Sequence, residues 1–109
     1  RYEGPTMGTY YRVTAACPVD VGARVDAELE AVNDEMSTYR PGSELSRFNV
    51  APVDAWFETV PALIEVVDAA LQLSRASGGA FDVTVGPLVN LWGFGPEDRA
   101  GIPSPEAVA

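Results

Sequence analysis

The chain contains no histidine and no lysine, and it has one cysteine. Without histidine there is no Ser-His-Asp or Cys-His catalysis and no imidazole-ligated metal. One cysteine, Cys17, permits neither an internal disulfide nor a thiolate zinc cluster. Placed between a strand-like run and Pro18, it reads as a small, semi-buried residue rather than a reactive thiol. With no lysine, the chain cannot contain a Walker-type phosphate loop, and no G-x-G-x-x-G follows a strand, so P-loop and Rossmann readings both fail. Positive charge is scarce: seven arginines face sixteen acids, for a net charge of −9. That balance removes the counterion-release attraction behind most nucleic-acid binding and argues against DNA, RNA and anionic membranes as partners. Long apolar runs are missing too, because Arg24, Asp26, Glu28 and Glu30 break one candidate and Glu65 and Asp68 the other. A membrane span needs about 18 apolar residues, so the chain reads as soluble as it stands.

What is present is ordinary for a folding chain: 109 residues, 47% hydrophobic and 21% charged. Such a composition excludes wholesale disorder and collagen-like designs, and the length allows one core at most. The sequence opens at Arg1 without an initiator methionine, signal peptide or tag, as in a processed chain or one cut from something longer.

The run from Thr6 to Ala16 is rich in Thr, Tyr and Val and reads as a strand, interrupted at Gly8 where a bulge, a close backbone approach or a strand-entry turn is expected. Asp20 reads as the N-cap of a helix to about Met36, with Val21, Val25, Leu29, Val32 and Met36 on one face. The acids off that stripe, Asp26, Glu28, Glu30 and Asp34, read as a solvated surface. The turn Arg40-Pro41-Gly42 leads into a short helical piece capped by Ser43, with Ser46 three residues on and Leu45 and Phe48 sharing a face. Trp56 and Phe57 predict a short strand. A second long helix follows from about Val60 to Ala76, with Pro61 in its first turn and Leu63, Ile64, Val67, Leu71 and Ser74 on one side. Gly78-Gly79 ends it, the first glycine suited to a left-handed cap. Ala80–Leu91 reads as strand-like or mixed, with Pro87–Leu91 open between strand and helix. Ser104-Pro105-Glu106 is a helix start signal with three residues after it.

A helix under two turns does not nucleate alone, and few strands leave sheet edges unpaired. The expectation is therefore that residues 1–109 form the N-terminal part of a larger α+β domain, and that the isolated chain lacks part of its cover.

Three segments hold more special residues than packing requires: Thr6-Met7-Gly8-Thr9, Met36–Tyr39 running into Ser43–Ser46, and Gly78–Thr84. All lie at element ends, where binding residues concentrate. Singly, Tyr39 reads as a core cap, Phe81 as core filling and Asp82 as an exposed turn acid. Together, a stacking ring, a glycine-rich approach and an acid flanked by Phe81 and Val83, expected to be partly buried and hydrogen-bonded, suit a flat hydrogen-bonding heterocycle carrying phosphates.

Gly4-Pro5-Thr6-Met7-Gly8-Thr9, the run from Met36 to Asn49 and the run from Ser77 to Phe94 resemble, in order and at compatible spacing, the FAD:protein FMN transferase family, also called ApbE. The resemblance covers nearly the whole chain. It implies an α+β, T-fold-like domain of mostly antiparallel strands with packed helices, truncated here to its N-terminal part. It also implies a magnesium-dependent enzyme of the bacterial cell envelope, periplasmic or lipid-anchored. Such an enzyme splits FAD and joins the FMN half through a phosphoester to a threonine of an acceptor flavoprotein. By that resemblance FAD is contacted at Met7, Tyr39, Ala80, Phe81 and Asp82. The metal ligands of the family, an alanine carbonyl, an aspartate and a threonine, lie in a later segment to which no position here corresponds. The partners implied are FAD, the acceptor and the remainder of the domain. A flavin-binding or storage protein of the same fold without transferase activity is the alternative, and a ligand-free structural piece a third reading.

Overall fold

A computed structural model of the chain describes residues 1–16, 18–97 and 101–109. Cys17, expected to be semi-buried, lies outside the described residues. The described elements are β1 (Tyr2–Thr6), β2 (Thr9–Val13), α1 (Gly22–Met36), α2 (Glu44–Asn49), α3 (Pro61–Ala76), α4 (Gly86–Leu91) and α5 (Pro105–Val108). They fall into two units, Arg1–Ala55 and Trp56–Ala109. No described helix is long and apolar enough to cross a membrane.

In the first unit the expected strand over Thr6–Ala16 is instead the far half of an antiparallel hairpin, in which Tyr2 pairs with Val13 and Thr6 with Thr9. The interruption at Gly8 is neither a bulge nor a strand-entry turn. It is the second position of a two-residue loop, Met7-Gly8, with φ of 49° and 75°. Positive φ at both centres is the type I′ pattern, whose twist matches the flanking strands. Pro5 sits within β1 opposite Tyr10. Alternation from the Thr6–Thr9 closing pair puts it at a non-hydrogen-bonded position, where its missing N–H removes no ladder bond.

α1 packs against β1 and α2. The hairpin is tied to its first turns by the Tyr11 hydroxyl, which donates to the Asp26 carboxylate. The helix starts two residues after the expected cap: Val21 takes the N-cap position without a side-chain bond, and Asp20 instead accepts the Gly22 N–H at 2.8 Å. Ser43 is the N-cap of α2 as its sequence predicts, accepting the Ser46 N–H at 3.1 Å.

In the second unit α3 begins with Pro61 in its first turn and ends in a Schellman motif. Gly79 N–H donates to Ser74 O at 2.9 Å and Gly78 N–H to Arg75 O at 3.2 Å, with both glycines at positive φ, which satisfies carbonyls the helix end leaves open. α4 ends the same way, with Gly93 at positive φ and Phe94 N–H donating to Val89 O at 3.0 Å. The covered stripe of α3 runs through Leu63, Val67, Ala70 and Ser74, whereas Ile64 and Leu71, expected on the same side, are exposed. Trp56 and Phe57 form no strand, nor do residues 80–85; the open segment Pro87–Leu91 is helical. Ser104 caps α5, accepting the Ala107 N–H at 3.3 Å.

Only three described residues are buried: Leu63, Asn33 and Ser43. Two of the three are polar, and both stand where α1 gives way to the turn before α2.

Candidate functional site

At that junction the first unit has a cleft of about 630 Å³, within the usual range for small-molecule sites. Three pieces of chain line it: the hairpin loop Met7-Gly8, the last turns of α1 through Val32, Asn33 and Met36, and the segment Ser37–Arg40 that leaves the helix.

Met7 is the single described non-glycine residue with positive φ. Left-handed backbone costs an L-residue roughly 1–2 kcal/mol, and the first position of a type I′ turn is ordinarily Asn, Asp or Gly. A methionine held there, 53% exposed, is strain of the kind stored at ligand sites. At the base of the loop, Thr6 Oγ1 is buried without a hydrogen-bond partner.

Tyr39 lines the same cleft as Met7. It is 70% exposed, so it does not cap a core and its ring is accessible to a stacking partner. Its backbone N–H donates to Ser37 Oγ at 3.2 Å. The neighbouring Arg40 turns back onto α1, pairing with Asp34 at 2.7 Å and Glu30 at 3.0 Å. The hydrogen bonds it donates to Glu30 and then to Asp34 hold the Arg40 guanidinium above its already high value, so it stays a cation at every physiological pH. The two acids, one helical turn apart on α1, are thus a docking point for Arg40 and more than a solvated surface.

Ala80, Phe81 and Asp82 form one turn in the second unit, directly after the Schellman glycines. Ser77 organises it: its hydroxyl donates to Ser74 O at 3.1 Å and accepts the Phe81 N–H at 3.1 Å, while Ala80 N–H donates to Ser77 O at 3.3 Å. Phe81 is 43% exposed, too open to be mere core filling. Asp82 corrects the expectation of partial burial, since it lies in the open. It does have the partner predicted for it: Oδ1 accepts from Thr84 N at 2.8 Å and from Thr84 Oγ1 at 2.7 Å. Those bonds, the backbone one first, hold its carboxyl below the ordinary 3.8. A two-residue reach from aspartate to backbone is an Asx turn and needs no burial. The other Asp82 oxygen accepts no bond from a described residue.

The structure therefore brings Met7 and Tyr39 into one cleft and sets Ala80, Phe81 and Asp82 on one turn, each group within its own unit. Sequence reasoning missed Ser77, Thr84 and the Arg40 clamp. The signals were present as a serine just before Gly-Gly, an Asp-x-Thr spacing and two acids four residues apart. Among the described residues no three His, Cys, Asp or Glu side chains gather closely enough to hold a metal ion. A hard cation such as magnesium needs several oxygen ligands, so the residues present do not fit one.

The first unit thus has a strained hairpin loop and an exposed tyrosine at one cleft of small-molecule size. Comparison with known proteins gives the family: residues 7–109 match the ApbE family. The chain is 48% identical to the FAD:protein FMN transferase of Vibrio cholerae over 106 residues, covering 92% of this chain and 32% of that protein. It is 44% identical to the enzyme of that description from Haemophilus influenzae, over 98% of this chain and 34% of the relative. Among solved structures, the flavin transferase ApbE from Vibrio cholerae superposes with a TM-score of 0.86 at 45% identity, over 97% of this chain and 37% of that one. The apo flavinyl transferase ApbE of Pseudomonas stutzeri gives a TM-score of 0.84 at 39% identity, over 97% and 38%. The chain belongs to the ApbE family, and it spans about a third of the length of the curated relatives it matches.

Proposed function

We propose that this chain supplies flavin recognition in an FAD:protein FMN transferase. Tyr39 stacks on the heterocycle and Met7 packs against its edge, while Ala80, Phe81 and Asp82 are the further FAD contacts that the family resemblance implies. The observation that carries this reading is that Met7 and Tyr39 line one cleft. A left-handed methionine and an uncovered tyrosine ring both cost something in the free protein, and a flat apolar ligand between them recovers it.

The reaction that goes with the reading joins FMN to an acceptor. The threonine hydroxyl of an acceptor flavoprotein attacks the FMN phosphorus of FAD, a P–O bond forms, and the bridging P–O bond breaks. AMP leaves with the electron pair, and the hydroxyl proton passes to solvent. Among the described residues no three His, Cys, Asp or Glu side chains gather to hold a cation, and the contribution assigned to this chain is binding and orientation, which a phosphoryl transfer needs before chemistry begins. A bacterial envelope location and magnesium dependence belong to the same reading through the family resemblance.

The test is incubation of the protein that carries this chain with FAD, magnesium and an acceptor bearing a target threonine, read as flavin fluorescence in a denaturing gel. A fluorescent acceptor band that disappears when the threonine is replaced by valine is the expected result. Tight FAD binding with a dark acceptor would favour a storage protein instead.

A further inference from the structure

The six residues from Ser37 to Gly42 carry Tyr39, yet none of them belongs to a helix or strand. A free segment of that size samples many conformations, and a ligand that selected one would lose affinity to the ordering. Here the segment is fastened at both ends and in the middle. At its ends, a single hydroxyl serves two helices. Ser43, 1% exposed and the most buried of the described residues, donates from Oγ to Ser37 O at 2.6 Å and accepts the Ser46 N–H at 3.1 Å. The first bond occupies a carbonyl left open where α1 stops; the second caps α2. Ser46 Oγ donates to the same Ser37 carbonyl at 3.2 Å, and Ser43 N–H closes a tight turn on Arg40 O at 3.0 Å. In the middle, Arg40 reaches back across α1 to Asp34 and Glu30.

We infer that Ser43 and Arg40 are positioning residues for the flavin: they fix the segment Ser37–Gly42 so that the Tyr39 ring stands ready at the cleft. The inference rests on the reading of Tyr39 as a flavin contact and goes beyond it, because Ser43 does not line the cleft and Arg40, which does, acts through the segment it clamps. Arg40 spends Nη1 and Nη2 on carboxylates, and the Ser43 hydroxyl is committed as donor and acceptor. A purely structural role for the ion pairs is disfavoured by their setting. The Arg40 side chain is 41% exposed and its partners more so, and exposed pairs add little to global stability.

The experiment is a double-mutant cycle in the protein that carries this chain, with FAD as the probe and flavin fluorescence as the readout. The variants are Arg40→Met, Tyr39→Ala and the two combined, each also melted thermally. Arg40→Met is expected to weaken FAD binding about fivefold through lost preorganisation while leaving the melting temperature essentially unmoved. In the Tyr39→Ala background the same substitution is expected to do almost nothing, since a residue that acts through Tyr39 has nothing left to position. Ser43→Ala shows the same coupling to Tyr39 with a larger affinity loss, about tenfold, together with a lowered melting temperature, and where it fails to fold the Arg40 cycle decides. An equal loss in both backgrounds, or no loss from Arg40→Met while Tyr39→Ala weakens binding, overturns the proposal. Unchanged affinity in Tyr39→Ala alone overturns the flavin-contact reading itself, and the positioning role with it.

Discussion

The Ser43 hydroxyl lies 2.6 Å from the carbonyl oxygen of Ser37 and donates to it, although six residues and a change of helix separate the two. Because that hydroxyl also caps α2, the end of one helix and the start of the next share an atom.

Removing it therefore damages both ends together. Ser43→Ala is expected to lower stability by about 1–3 kcal/mol, the sum of a lost N-cap and a buried carbonyl left to Ser46 alone. Urea unfolding of the protein carrying this chain measures the loss; a change under about 0.5 kcal/mol would mean that the shared bond contributes nothing net.

Met7 gives the opposite sign. Met7→Gly relieves left-handed strain while adding unfolded-state freedom, so stability is expected to hold or rise by up to about 1 kcal/mol. FAD affinity falls in the same variant because the thioether is gone. Destabilisation by thermal melting would show that the side chain is held for packing rather than for a ligand.

Gly78 sits at φ +64 with open space where a Cβ would go. The cost of Gly78→Ala is thus backbone alone, about 1 kcal/mol, read as a lowered melting temperature. A cost several times larger would place a packing contact where none is seen.

Asp82 sets a pH dependence. Its folded carboxyl titrates below the ordinary 3.8, through the Thr84 N–H first and the Thr84 hydroxyl second. A depressed carboxylate stabilises above the unfolded pKa, and that stabilisation is lost as pH falls through the lower folded value. The turn at residues 82–84 is therefore expected to stay closed at neutral pH and to open only in acid, as pH falls below the ordinary carboxylate range. Hydrogen exchange at the Thr84 amide follows it. Asp82→Asn keeps the acceptor oxygen and is expected to abolish the acid-induced opening.

Helix positions and caps were legible in the sequence wherever one residue type does one physical job. Ser43 and Ser104 cap helices because a short hydroxyl reaches a free N–H, Pro61 starts α3, and Gly78-Gly79 end it. The hairpin was misread because Met7-Gly8 is a poor statistical match to a two-residue turn; the strained methionine that hides the turn is also what marks the site. On α3, apolar residues occupy much of the circumference, so helical periodicity alone could not separate the covered Leu63 and Val67 from the exposed Ile64 and Leu71. Asp82 was placed among apolar neighbours in the sequence, yet an Asx turn satisfies its carboxylate locally. The Arg40 clamp was out of reach for a different reason: its partners lie six and ten residues away, and only the backbone reversal at the end of α1 brings them within an ion pair.

The central claim is that Tyr39 forms one wall of a flavin site, and calorimetric titration of FAD into the protein carrying this chain, wild type against Tyr39→Ala, tests it most directly. Since the ring is largely exposed, the variant is expected to melt as the wild type does while binding FAD more weakly by about 1–3 kcal/mol, the range for losing a stacked aromatic face. Equal FAD affinity in the two proteins would contradict the account.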